Sequence, residues 1–331
     1  MPVSLLLLAV PLALLSAAVV RRMTFAGMLD RPNERSSHDR PTPKGGGLGV
    51  VAAVAAGAVV RAAMGEDVFH PAALLAAAAL ALVAFADDAR SFSFAVKLGA
   101  QLLAACVAVA AGVELHEVGV PGLGRVSLGL LGAPVTVAWI LFATNALNFI
   151  DGLNGLAAGA SLLAAALGAA FVPDPAVQAV CLFLAAGLAG FMPFNFPRAR
   201  IFMGDVGSQF CGFLLATLCV AAAGAGVPVL AGPLLLAGIL FDVAFTLCRR
   251  AWAGERVWTA HRGHLYQVAQ RSGMPAAAVA VVHWAFVVWG GLAASWLVAG
   301  SAWAVPLGVA PQLFWAAYVI AKARKAGLGR W

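Results

Sequence analysis

Eleven stretches of this chain run apolar for about 17 residues or more, and the basic residues between them fall almost wholly in alternate gaps. That pattern leaves few possible folds. A helix crossing a hydrocarbon core needs about 20 apolar residues, and backbone in lipid must bond to itself. The segments are rich in Ala, Leu and Val and lack the apolar-polar alternation of ten-residue barrel strands, so helices are expected. Of the 331 residues 63% are hydrophobic and 11% charged, more apolar surface than a water-soluble domain can bury. The expected fold class is all-α: a polytopic membrane protein with about 11 transmembrane helices.

The spans read as 3–20, 46–64, 70–86, 94–112, 134–150, 155–172, 176–194, 208–224, 227–247, 277–298 and 302–321. With alternation, 19 of the 21 Lys and Arg residues fall on one side; only Arg61 and Arg125 fall on the other. Basic loops stay in the cytoplasm, so the N-terminus is expected outside and the C-terminus inside. The first segment lacks a basic start and is followed by Arg21 and Arg22, which favours a retained helix over a cleaved signal. The net charge of +7 then reads as loop bias, not as a nucleic-acid surface. The five cysteines lie in or beside apolar segments with no CxxC and read as packing residues. Residues 1–331 form one integral membrane domain, with cytoplasmic loops near 21–45, 87–93, 195–207 and 248–276 meeting at an active site.

Those loops hold the chain's clusters of acids, amides and histidines. DRPNERSSHDRPTPKGGG, residues 30–47, has too many prolines for a helix. Its triple glycine lets backbone N–H groups approach a phosphate, with His38, Arg40 and Lys44 adding charge; a basic loop held near anionic headgroups is the alternative. Asp87 and Asp88 end the third span. Two adjacent carboxylates at a membrane boundary call for a cation or a base, so they could bind Mg²⁺ or take a proton, or else form a solvated helix end. In NALNFIDGLNGLA, Asn145, Asn148 and Asp151 recur every third residue along one helix face, either as a polar site or as helix-helix hydrogen bonding. NFPRARIFMGDVGS sets Asp205 between two glycines at a helix start, as a cap or as a magnesium ligand facing the other acids; Phe202 offers an aromatic face to a base. HRGHLYQ puts His261 and His264 at i and i+3, on one face if helical, where donation to phosphate suits them better than zinc. Asp242 could pair with a base or serve the site.

In order along the chain, PNERSSHDRPTPKGGG, DDARSFS, NALNFIDGLNGLA, NFPRARIFMGDVGS and HRGHLYQ resemble the polyprenyl-phosphate N-acetylhexosamine-1-phosphate transferase family. The resemblance implies that an undecaprenyl phosphate attacks the β-phosphate of a UDP-N-acetylhexosamine, giving undecaprenyl-diphosphate-sugar and UMP. It implies Mg²⁺, with Mn²⁺ as a substitute, held by Asp205 with help from Asp88. Asp87 and Asp88 match the acidic pair that orients or deprotonates the lipid phosphate. Asp151, Asn195 and Phe202 match uridine-holding positions, and Asn145 and Asn148 shape the same pocket. His261 and His264, with Arg262 between them, match a histidine loop that contacts phosphate. Many relatives carry a second acid where this chain has Asn154, which can hydrogen-bond but supplies no charge. The HxxH-LYQ loop looks less like the phospho-MurNAc-pentapeptide transferase of peptidoglycan synthesis than like the branch that primes O-antigen, teichoic acid or capsule glycans. Membrane lipids, and a homodimer as found across the family, are the other expected partners. A multispan transporter is the alternative of a different class, but transporters gather polar residues at mid-bilayer between repeated halves, and no repeat is visible.

Overall fold

The structure is a computed structural model and describes residues 3–32, 40–120, 124–257, 259 and 261–328. His38 lies outside the described residues. The helices are α1 (Val3–Met23), α2 (Gly47–Ala63), α3 (Pro71–Arg90), α4 (Phe94–Ala110), α5 (Gly132–Ile150), α6 (Leu156–Phe171), α7 (Pro175–Asn195), α8 (Asp205–Gly224), α9 (Ala231–Leu235), α10 (Ala237–Trp252), α11 (Leu265–Arg271), α12 (Ala276–Val298) and α13 (Ala304–Lys325). Two antiparallel hairpins accompany them, β1 (Leu29–Asp30) with β2 (Thr42–Pro43) and β3 (Glu117–Val120) with β4 (Gly124–Ser127).

Seven of these helices are long and apolar enough to cross a membrane by length and composition, and α2, α4 and α6 are shorter apolar helices. The protein is a polytopic membrane protein. Ten of the eleven expected apolar segments each coincide with one helix, and the ends follow local chemistry. Asp174 caps α7 by accepting from the Ala176 and Val177 N–H groups at 2.8 and 2.9 Å, with Pro175 at the first helical position. Ser93 caps α4 in the same way through Val96 N–H.

Two expectations change. The ninth segment is not one helix: it breaks at Leu236 into α9 and α10, and α10 then runs on to Trp252. Hydropathy misses that extension because the last turn carries Arg249 and Arg250, cations favoured at a helix C-terminus. Arg250 is buried there, held by Glu255 at 2.9 Å and by the Thr259 and Arg256 carbonyls. The 248–276 loop also contains α11, a short helix too polar for a hydropathy scan to register.

The core is arranged around α8. Of its most apolar 18 residues 83% are buried, against 22% for α1, so α8 is sheathed by other helices while α1 keeps a face outward. Helices α2, α3, α5, α6 and α7 all pack on α8. Small residues make this possible. A Cβ on Gly212 would stand 2.8 Å from Thr144 Cα on α5, and one on Gly47 only 2.2 Å from Gly207 Cα on α8. Close packing around α8 brings the C-terminal ends of α3, α5 and α7 and the N-terminal ends of α2, α4, α6 and α8 together at one end of the bundle.

Candidate active site

The N-terminus of α8 is the centre of that end. Gly204 precedes it with φ of +75°, and a Cβ there would lie 2.6 Å from Asp88 Oδ2 and 3.2 Å from Gly45 N. Glycine is needed on both counts. Asp205 does not cap its own helix. Asp88 from α3 takes that place, its Oδ2 accepting from Val206 N–H at 3.4 Å, so a carboxylate of one helix sits on the positive end of another. Lys44 Nζ lies 3.4 Å from the other Asp88 oxygen.

Both Asp205 oxygens are oriented. Asn148 Nδ2 donates to Oδ1 at 3.1 Å and also to Ser208 Oγ at 2.9 Å. Gln209 Nε2 donates to Oδ2 at 3.3 Å, and Lys97 Nζ lies 3.6 Å from the same oxygen. Behind Gln209, Gln101 Nε2 donates to Gln209 Oε1 at 3.1 Å, and Asn145 Nδ2 donates to Gln101 Oε1 at 2.7 Å. An unbroken run of amides thus links Asn145 on α5 to Asp205 through α4 and α8.

The acid pair divides its work. Asp87 is buried; it accepts from Phe92 N–H at 2.5 Å and from Lys97 Nζ at 2.9 Å. Lys97 spans Asp87 and Asp205, so Asp87 serves to hold a cation beside the site, and this contact set leaves it poorly placed to take a proton from a lipid phosphate. Both acids stand near Asp205, and Asp88 is the member that also faces Lys44.

Asp151 is the C-cap of α5, beyond the helical segment. Burial first, then Asp205 and Asp88 nearby, holds its carboxyl well above the usual carboxylate range. Three acids from three separate segments therefore share one electrostatic neighbourhood. Among the described residues no three His, Cys, Asp or Glu side chains stand close enough to chelate a metal by themselves. The donor set still fits Mg²⁺, a hard cation that takes one or two carboxylates and fills its octahedron with water and phosphate oxygen.

Other expected residues are brought to the same end in different roles. Asn195 is buried: its Oδ1 accepts from Gly155 N–H at 2.6 Å and its Nδ2 donates to the Ile201 carbonyl at 2.9 Å. It braces the pocket wall, and its amide is not presented to a base. Asn154 Nδ2 donates to the Pro197 carbonyl at 3.3 Å. The glycine run corrects the phosphate expectation. Gly46 and Gly47 spend their N–H groups on the Phe202 and Met203 carbonyls at 3.0 and 2.9 Å, while Phe202 N–H donates to the Pro43 carbonyl at 2.8 Å. This run zips the 40–47 segment to the 201–203 segment and delivers Lys44; the Gly46 and Gly47 amides are committed to carbonyls. Phe202 is partly exposed.

The histidines also differ from expectation. Neither lies within a helix: His264 is the N-cap of α11, and His261 precedes it. Their rings stack at 4.7 Å between centroids and 29°. His264 is buried, with Nδ1 3.3 Å from Asp242 Oδ1, and His261 is the more accessible ring. Burial first, then His264, Arg250 and Arg249, pushes the His261 imidazole down to about 4, so it is neutral near pH 7. The Arg262 carbonyl accepts from Arg271 at 3.1 Å. Tyr266, from the same motif, reaches back to donate to the Phe149 carbonyl at 3.0 Å and lies against Gly152, tying the histidine loop to the Asp151 turn.

Comparison with known proteins bears on this arrangement. Residues 70–223 match the family model "Glycosyl transferase family 4". The chain is 31% identical over 261 residues to the probable undecaprenyl-phosphate N-acetylglucosaminyl 1-phosphate transferase of Bacillus subtilis (strain 168), covering 76% of this chain and 73% of that protein. The chain belongs to the polyprenyl-phosphate hexosamine-1-phosphate transferase family. It is also 33% identical over 277 residues to the decaprenyl-phosphate N-acetylglucosaminephosphotransferase of Mycobacterium tuberculosis (strain ATCC 25618 / H37Rv), covering 72% and 68% of the two chains. A phospho-N-acetylmuramoyl-pentapeptide-transferase of Leuconostoc citreum (strain KM20) is 38% identical, but over 145 residues, 42% of this chain.

Several residues of this transferase carry the geometry without having been singled out in the sequence. Lys97 read as one loop cation among many, yet it bridges two acids. Gln101 and Gln209 were hidden inside apolar spans, where an amide without a partner is costly. That cost is itself the signal: an unexplained Gln at mid-helix predicts another amide facing it.

Proposed function

We propose that the protein transfers an N-acetylhexosamine-1-phosphate from a UDP-sugar to undecaprenyl phosphate, giving undecaprenyl-diphosphate-sugar and UMP. The placement we propose is a bacterial inner membrane, with eleven crossings, the N-terminus outside and the active site at the cytoplasmic face. The observation that carries the reading is the convergence of Asp88, Asp205 and Asn148 from three separate helices around the start of α8, with Lys44 and Lys97 beside them.

Phosphoryl transfer asks a protein for alignment and charge balance more than for covalent help. An oxygen of the lipid phosphate attacks the β-phosphorus of the UDP-sugar. The bond from that phosphorus to the bridging oxygen breaks, and UMP leaves with the electron pair. Asp88 and Asp205 would hold Mg²⁺, which supplies charge neutralisation for the diphosphate when bound. Lys44 and Lys97 hold positive charge beside the two carboxylates, where phosphate oxygens approach. Asn148 and Gln209 fix the Asp205 carboxylate so that it need not reorganise during the reaction. Neutral His261 is suited to donate one hydrogen bond to a phosphate oxygen. A donor in water and an acceptor rooted in lipid require a site at the boundary between them, which the clustered helix ends would supply.

The names of the relatives covering two thirds or more of their length favour N-acetylglucosamine as the sugar, and so does the HxxH-LYQ loop over the muramoyl-pentapeptide alternative. Purified protein with UDP-N-acetylglucosamine, undecaprenyl phosphate and Mg²⁺ should release UMP, and UDP-MurNAc-pentapeptide should not replace the donor. EDTA or Asp205→Asn should each lower the rate by at least about 100-fold. Activity surviving both would end the metal assignment. Trapping a phosphosugar on Asp88 would replace direct attack by a double displacement.

A further inference from the structure

A fifth aspartate lies away from the metal-facing carboxylates and has no part in the chemistry so far. Asp242 sits in α10, 1% exposed, in the helix that follows the break at Leu236. A lone buried carboxylate is costly, so its partners reveal its purpose. Its Oδ2 accepts from Tyr266 N–H at 2.9 Å, and its Oδ1 accepts from Leu265 N–H at 2.9 Å. These are the first two amides of α11, so Asp242 caps that helix from another. Oδ1 also lies 3.3 Å from His264 Nδ1 and 3.5 Å from Thr246 Oγ1. From α12, His283 brings Nε2 to within 3.7 Å of Oδ2, while its Nδ1 stands 2.9 Å from the Val279 carbonyl.

The donors decide the tautomer. A carboxylate that already accepts two backbone N–H groups is ionised, and an ionised carboxylate can only accept. Nδ1 of a neutral His264 faces that acceptor, and the same side chain accepts the Gln267 N–H in the α11 capping box, a bond left to Nε2 when Nδ1 holds the proton. We infer that Asp242 is a positioning residue: it fixes His264 as the Nδ1–H tautomer and holds the histidine loop against the Asp151 turn through Tyr266. The second function follows from the chain of contacts, since Asp242 orients the Tyr266 backbone and the Tyr266 hydroxyl is bonded to the Phe149 carbonyl. Stacking of His261 on His264 extends the same constraint to the accessible ring. The effect on turnover rests on the transferase reading above; the tautomer does not.

The test separates the two. Imidazole ¹⁵N spectra of the full-length wild-type protein in detergent, with His264→Gln used for assignment, should show His264 protonated at Nδ1 near pH 7.5. Finding it protonated at Nε2 overturns the inference whether or not any donor is turned over. Asp242→Asn keeps an acceptor for Leu265 and His264 but turns an N–H toward the Tyr266 N–H, so its fold is checked by its melting temperature in detergent and the wild-type spectrum carries the test if it unfolds. That variant should lower kcat about tenfold or more with KM for the UDP-sugar within about twofold, and should mix the His264 tautomers. In a His264→Gln background the same change should cost much less, because the two residues act as one unit. A full, additive loss in that background, or kcat unchanged in the single variant, overturns it. If the wild type turns over no UDP-sugar, the functional reading fails while the tautomer result still stands or falls alone.

Discussion

At the residue scale the site shows how one residue type takes different roles from its surroundings. Asp87, Asp88, Asp151, Asp205 and Asp242 are all aspartates, yet one grips a lysine, one sits on a foreign helix terminus, one has its carboxyl pushed up by burial, one is fixed by amides and one faces a histidine. His261 gives a direct pH test. Its imidazole is held down at about 4, below the ordinary value of 6.5, mainly by burial. Below pH 6.5 the unfolded chain takes up a proton that the folded protein refuses until about pH 4. Stability is thus full above pH 6.5 and falls as pH drops toward 4. Thermal melts in detergent across pH 7.5 to 4.5 should show that fall, and His261→Asn should flatten it. An unchanged slope in the variant would assign the fall to other groups. At this same scale the sequence was informative about residue types and silent about partners: Asp88 and Asp205 stood out by motif, but that Asp88 caps α8 depends on a contact across 118 positions of chain.

At the element scale, small residues decide which helices meet. Gly47 and Gly207 let the first turns of α2 and α8 touch backbone to backbone. Gly47→Ala would force a Cβ to within 2.2 Å of Gly207 Cα, which neither helix can yield by turning a side chain. The expected cost is about 1–3 kcal/mol, read as a lower melting temperature, together with reduced activity because Lys44 arrives on the same segment. Gly99→Ala is the contrast. Nothing lies within 4 Å of a Cβ there, and mid-helix alanine should leave stability equal or raise it by up to about 1 kcal/mol. Equal melting temperatures for the two variants would refute the packing argument. The helices themselves were legible as apolar runs, while Asp174, Ser93 and the prolines set several of their ends. The α9–α10 break and α11 were not, because a hydropathy window averages over a kink and cannot register a short polar helix docked by one buried acid.

At the scale of the whole molecule, the helix ends converge so that Asp88, Asp205, Asn148 and Lys97 meet at one end of the bundle, with the β3–β4 hairpin on the connection at the opposite end of α4 and α5. Topology can be read with thiols. In a variant whose only cysteine is the native, exposed Cys248, a membrane-impermeant maleimide added to intact cells should react only after the membrane is opened. Ser127→Cys in a cysteine-free background should react at once, since Ser127 lies exposed in β4. Equal labelling of both from outside would invert or break the proposed orientation. The sequence by itself determined that this chain is a polytopic membrane protein and where most of its apolar helices run, because hydropathy is a property summed over neighbouring residues. Only the tertiary structure decided what each polar group does there. A hydrogen bond forms over about 3 Å between residues that can be a hundred positions apart, so the Gly46 and Gly47 amides went to carbonyls instead of phosphate, Asn195 became a brace, and Asp242 found its histidine.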